Sequence, residues 1–187
     1  MQTEVHVSID LETLSTRPDA VITSIGAAAQ FVDNSGKKVT SKFLCFVNIE
    51  DQADRHTDPK TLEWWQKNKV LYDDMIERCA SGSTLDDALI NFRTWYASLG
   101  DDQCLLFPWG NGATFDISIL EHAFKSRVSS PPWAYWQPRD IRTLKYLAER
   151  QGKVIPMNRD KGTHHQADDD AKNQLDFVLA NLDLFDK

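Results

Sequence analysis

Hydrophobic and polar positions alternate at the start of the chain, where Val5, Val7 and Ile9 are separated by polar residues. That period of two predicts a half-buried strand ending at Ile9-Asp10. Ala20 to Phe31 is rich in β-branched and small residues and predicts a second strand. After the turn signal Asn34-Ser35-Gly36, Val39 to Val47 returns as a third, so the chain opens as an antiparallel meander. Asp58-Pro59 places an N-cap residue before a proline at the first helical position. Short helices follow through Trp64-Trp65 and through Leu71 to Cys79. Ser83-Thr84 then caps an amphipathic helix with Leu85, Ala88, Leu89, Phe92 and Trp95 on one face. Cys104 to Trp109 reads as a short apolar strand running into Gly110-Asn111-Gly112. Phe115 to Phe124, Ile141 to Arg150 and Asp168 to Leu182 carry helical spacing. Strands first, then alternating helix and strand, predict an α/β fold on a mixed sheet, with residues 1–187 as one domain.

Composition narrows the class. The 187 residues contain 21 Lys plus Arg against 28 Asp plus Glu, a net charge of −7. Three cysteines, Cys45, Cys79 and Cys104, are widely spaced and never form a CxxC pair, which suits reduced thiols and a cytoplasmic location. No apolar run approaches the ~20 residues of a membrane-spanning helix, and the first ten residues lack a signal-peptide pattern. A membrane partner is therefore not expected. The acidic balance also disfavours a passive nucleic-acid binder, which displaces counterions with a basic surface. It leaves open an enzyme whose carboxylates hold divalent cations, because the ions invert the local field.

Three short segments carry candidate chemistry. In Asp10-Leu11-Glu12-Thr13, the two carboxylates share one face of a strand, roughly 6.6 Å apart along the backbone. A cation between them would relieve their repulsion; otherwise they are polar residues where a strand frays into solvent. In Asn111-Gly112-Ala113-Thr114-Phe115-Asp116, a loop follows a strand and opens a helix, a common place for ligand loops. There Thr114 could equally cap the helix and Asp116 favour its dipole. In His164-His165-Gln166-Ala167-Asp168-Asp169-Asp170-Ala171, three aspartates at a helix start also suit the macrodipole. If that helix buries Ala171, Leu175, Val178 and Leu182, only one of the three faces inward. His165 and Asp170 lie about 140° apart on a regular helix, so they converge only if His165 sits on a loop folding back over the helix start.

Taken together and in order, DxET, NxxxFD and HxADDDA resemble the DEDDh 3′–5′ exonucleases of the ribonuclease-H-like superfamily. The stretches SIDLETLSTRPDAVITSIGA, TLEWW, WGNGATFDI and RDIRTL are most similar to a phage and bacterial subgroup with DexA-type exonucleases and mycobacterial exoribonuclease-like proteins. The resemblance runs from about Val5 to Leu182. It implies a ribonuclease-H-like fold with a mixed five-stranded sheet flanked by helices. Asp10, Glu12, Asp116 and Asp170 match the four metal carboxylates, and His165 the general base. Ala167 and Ala171 occupy the small positions of the motif only for the pair His165 and Asp170, not for His164 and Asp169. The family implies two ions per site, and oxygen-only ligands favour Mg²⁺ or Mn²⁺ over Zn²⁺.

The implied substrate is a DNA or RNA 3′ end, cut to 5′-mononucleotides. By the same resemblance Thr13 and Leu14 contact the terminal nucleotide and Phe115 packs near its base. Trp64 and Trp65 point about 100° apart on a helix, so one belongs in the core and the other is half-exposed. A base-stacking platform is the functional alternative, and Trp65 is placed among the substrate contacts on that basis. Arg139-Asp140 reads as a structural ion pair, with Asp140 a supporting residue of the site in the subgroup. Many relatives are dimers, so a homodimer is an implied assembly. Two rival functions remain. An endonuclease of the same fold would use acidic quartets without the His-x4-Asp arrangement, and an inactive binding module would have lost the five-residue set.

Overall fold

The computed structural model describes residues 3–33, 35–100, 104–157 and 166–185. At its centre lies a mixed sheet of order β3-β2-β1-β4-β5, formed by β1 (Thr3–Thr13), β2 (Ile22–Val32), β3 (Lys38–Phe46), β4 (Cys104–Gly110) and β5 (Arg139–Asp140). The first three strands form the expected antiparallel meander; β4 joins β1 in parallel, and β5 joins β4 in parallel. The two-residue β5 is not visible in the hydrophobic pattern because it is too short to show a period.

Six helices flank the sheet among the described residues: α1 (Pro59–Gln66), α2 (Lys69–Ala80), α3 (Leu85–Ala97), α4 (Asp116–Arg127), α5 (Ile141–Arg150) and α6 (Ala167–Leu182). Their starts follow the capping signals. Asp58, Asn68, Thr84 and Asp140 each accept a hydrogen bond from a backbone N–H in the first turn of α1, α2, α3 and α5. Among the described residues no helix is long and apolar enough to cross a membrane.

Alternation along β1 decides which face does what. Val5, Val7, Ile9 and Leu11 are buried in the main core with Leu89 and Phe92 of α3 and Leu120 and Phe124 of α4. Ser8, Asp10 and Glu12 point to the other face, as the two-residue period requires. On that face Ala28 of β2 packs against Ala171 and Leu175 of α6. The strand does not end at Ile9-Asp10 as the pattern predicts. It continues through the two carboxylates because β2 keeps pairing with it, Asp10 opposite Gly26 and Glu12 opposite Ser24, until the register shifts between Glu12 and Thr13.

Candidate active site

The site forms where the parallel strands end. β4 stops at Gly110, opposite Ile9, so β1 runs on alone along that edge. The Leu11 N–H then lies beyond the ladder, and Asp116 at the first position of α4 accepts it through Oδ1 at 3.1 Å. The loop leading to Asp116 turns at Gly112, whose φ of +109° is a conformation that a side chain would strain. From the opposite side α6 delivers Asp170 in its first turn. One carboxylate oxygen each of Asp10, Glu12 and Asp170 lies within 4.8 Å of the others. Asp116 is buried beside them and is the neighbouring charge acting most strongly on Asp10.

Burial and mutual repulsion dominate the electrostatics. Burial first, then the Asp116, Glu12 and Asp170 carboxylates, raise the Asp10 pKa well above its ordinary range, against a hydrogen bond from Gln174. Glu12 is pushed up to about 8 by burial and by the charges of Asp170 and Asp116. Asp116 is also raised, by burial, although the backbone N–H groups of Leu11, Asp116 and Asn111 and the charge of Arg142 oppose the shift. Such a set cannot be fully ionised at neutral pH without positive charge among its oxygens. The donor set is all carboxylate, the chemistry that hard divalent cations take. The residues therefore fit the metal ions implied by the motifs.

The three aspartates of α6 divide their work. Only Asp170 joins the carboxylate cluster. Lys42 of β3 holds the other two, with Nζ 2.7 Å from Asp168 and 2.6 Å from Asp169. Partial burial works against the Lys42 charge, yet the two aspartates outweigh it and raise its pKa. Of the three aspartates only one was expected to face inward, yet Asp168 is also buried, because Lys42 of β3 compensates its charge. Gly26 lets the helix start come this close. A Cβ on Gly26 would sit 2.1 Å from the Ala167 carbonyl carbon and 2.4 Å from the Asp168 nitrogen. Lys42, Gly26 and Gln174 were not singled out from sequence, since each acts through a partner remote along the chain.

Other expected site residues fall as follows. Thr13 and Leu14 are buried at the end of β1, with the Thr13 hydroxyl donating to the Ser15 carbonyl at 2.7 Å. Phe115 is partly buried against the main core, immediately before Asp116. Thr114 does not cap α4: Phe115 holds the N-cap position, with no side-chain cap bond. Trp65 is 3% exposed and its Nε1 donates to the Thr13 carbonyl at 3.0 Å. A stacking role for Trp65 does not fit this placement, because its ring faces are covered. It supports the strand end, while Trp64 is the indole that is 51% exposed. Arg139 does not act as an ion partner of Asp140 but donates to the carbonyls of Trp136, Gln137 and Pro138. Asp140 caps α5 through Thr143 and accepts the Ala113 N–H at 2.7 Å, fixing the loop before Asp116. His164 and His165 lie outside the described residues.

A mixed sheet with strand order 3-2-1-4-5, flanked by helices and carrying carboxylates at the ends of β1 and at the starts of α4 and α6, defines a ribonuclease-H-like fold. Solved nucleases share it. Escherichia coli exonuclease I in complex with a dT13 oligonucleotide is similar with a TM-score of 0.61 and 15% identity, over 98% of this chain and 43% of that one. Cell-death related nuclease 4, CRN-4, gives a TM-score of 0.62 and 14% identity, over 98% of this chain and 65% of that one. The chain thus spans less than half the length of exonuclease I. Curated protein sequences give no match. Residues 5–182 match the model of the Rv2179c-like 3′-5′ exoribonuclease domain, and the chain belongs to that family.

Proposed function

We propose that this chain is a metal-dependent 3′–5′ exonuclease that shortens single-stranded DNA or RNA from the 3′ end to 5′-mononucleotides. What supports the reading most is the gathering of half-buried Asp10, Glu12 and Asp170, with buried Asp116 beside them, at the ends of the parallel strands. Family membership agrees with it. Asp10, Glu12, Asp116 and Asp170 would hold two Mg²⁺ or Mn²⁺ ions, which when bound supply Lewis-acid charge to the scissile phosphate. The chain's own groups do the rest. His165, carried over from the HxADDDA motif, takes the proton of the attacking water, a task for an imidazole neutral near the working pH. Thr13, Leu14 and Phe115 position the terminal nucleotide, and Asp140 fixes the loop carrying Phe115 and Asp116.

The test is an end-labelled ladder on matched DNA and RNA oligonucleotides with Mg²⁺, Mn²⁺ or EDTA. Stepwise shortening from the 3′ end, a mononucleotide product and complete loss with EDTA are expected. Cuts in a circular single strand would overturn the exonuclease reading in favour of an endonuclease. His165→Ala is expected to keep metal binding while losing most turnover and the acidic limb of the rate profile.

A further inference from the structure

A cavity of about 720 Å³ opens between α5, α6 and the segment 154–157, and two of its lining residues, Asn111 and Arg142, also act on Asp116 of the carboxylate cluster. This volume lies within the range of small-molecule sites. Its floor is apolar, built by Phe177 of α6 and Met157. One wall is fixed by Asn181, fully buried on α6, which accepts the Ile155 N–H at 2.9 Å and donates to the Ile155 carbonyl at 3.0 Å. The other wall is one face of α5, where Arg142, Lys145 and Tyr146 follow at helical spacing. Asn111 lines the end nearest the cluster. Arg142 reaches the same place: its guanidinium carbon lies 3.2 Å from where a Cβ on Gly112 would stand.

The chemistry of this wall contrasts with the chain as a whole. Against a net charge of −7, two cations and one carboxylate, Arg142, Lys145 and Glu149, line this cavity, and the Arg142 charge also acts on Asp116 of the cluster. Tyr146 adds an aromatic ring that is 58% exposed. Lys145 pairs with Glu149 at 3.7 Å, but both side chains are about half exposed, and such a pair is weak enough for a phosphate to compete with it. Cations over an apolar floor, with an aromatic ring at the rim, match the parts of a nucleotide: phosphate for the cations, base for the ring.

We infer that this cavity binds a nucleoside 5′-phosphate unit, with Arg142 and Lys145 on its phosphate and Tyr146 stacked on its base, as a subsite distinct from the carboxylate cluster. The occupant is a nucleotide upstream in the strand or a free mononucleotide. The inference rests on the proposed function for the identity of its ligand, though not for its test.

The experiment uses decathymidylate with fluorescein at the 5′ end and a methylphosphonate as its last linkage, so that a 3′ exonuclease leaves it whole. Fluorescence anisotropy in Mg²⁺ is read for the wild type and for Lys145→Ala, Tyr146→Ala and Tyr146→Phe. Tyr146→Ala is expected to raise Kd at least about fivefold, the low end for one stacked base, and Tyr146→Phe to stay within about twofold. Lys145→Ala is expected to lower the slope of log Kd against log salt by about 0.7, the value for one lost single-strand phosphate contact. A merely structural role would leave that slope unchanged. Competition with dTMP separates the sources. If dTMP binding depends on Tyr146 and Lys145 while strand binding does not, the occupant is the free nucleotide; the reverse assigns it to the strand.

Equal affinities and slopes in all variants for both probes, or no binding by the wild type, overturn the inference. A wild type that binds through Tyr146 yet leaves both unmodified decathymidylate and the matching decauridylate whole in Mn²⁺ overturns the exonuclease reading and not the subsite. A wild type that shortens the strand, with variants that bind both probes as it does, overturns the subsite alone.

Discussion

Gln174 donates its side-chain N–H to Asp10 Oδ1 at 2.6 Å, and its own Oε1 accepts from the Ser8 hydroxyl at 3.1 Å. This chain of polar groups ties α6 to β1 beneath the carboxylates. Gln174→Ala would leave Ser8 and Asp10 without that partner in a buried place, a cost of about 1–3 kcal/mol. At roughly 2–4 °C per kcal/mol for a chain of this size, thermal melting should register the loss. Residues that orient a metal ligand typically change affinity about 10–100-fold when removed, so calorimetry should show weaker Mn²⁺ binding. Unchanged Mn²⁺ affinity would limit Gln174 to packing.

Asp10→Asn keeps size and removes charge from the most crowded carboxylate. Nuclease activity is expected to fall at least about a hundredfold while the fold persists. In EDTA the variant should melt higher than the wild type, because burial and three neighbouring carboxylates disfavour ionised Asp10. A folded variant with wild-type activity would remove Asp10 from the reaction.

The raised pKa values give the metal-free protein a pH dependence of definite sign. Glu12 moves from 4.5 to about 8, so between those values the folded state binds more protons than the unfolded one. The stability this contributes is fully present below pH 4.5 and is lost as pH rises through about 8. Melting in EDTA should therefore decline from pH 5 to pH 9 at this site, and Glu12→Gln should flatten the decline. Mn²⁺ should raise the melting temperature more at pH 8 than at pH 5, since it binds the ionised set. A decline of equal steepness in Glu12→Gln would count against the assignment.

Gly26→Ala tests the close approach of α6. Its Cβ would meet backbone, not a movable side chain, so either the helix start shifts or the strand does. Overpacking of this kind costs about 1–3 kcal/mol. Because Ala167 and Asp168 carry Asp170 with them, weaker Mn²⁺ binding should accompany the lower melting temperature. Loss of stability with metal affinity intact would mean that β2 yields and the cluster does not.

Local pattern carried much of this site, and its limits are instructive. The two-residue period of β1 was enough to put Asp10 and Glu12 on one face, opposite Ile9 and Leu11. The strand end was misplaced because what prolongs it is a partner, β2, whose register the residues of β1 do not reveal. Trp64 and Trp65 show the same limit: helical geometry separates the two indoles by direction, but only the position of Thr13 decides that Trp65 turns inward. Asp140 bonds to the backbone of Ala113 in place of the neighbouring arginine for a related reason, since a backbone N–H donor cannot be read from residue type. Lys42 is a surface lysine by sequence. Its role comes from β3 lying across the sheet within reach of the α6 start.

The site draws on β1 and on α6, far apart along the chain, and that order matters during synthesis. As the chain leaves the ribosome, Asp10, Glu12 and Asp116 emerge well before Asp170, and Gly26 waits open for a helix not yet made. Synthesis delivers the N-terminal elements first, and a domain generally folds as a unit. A nascent chain that has folded its sheet but not docked α6 lacks one carboxylate and the glutamine beneath Asp10. The full set of four carboxylates therefore exists only once the residues of α6 have been made and docked.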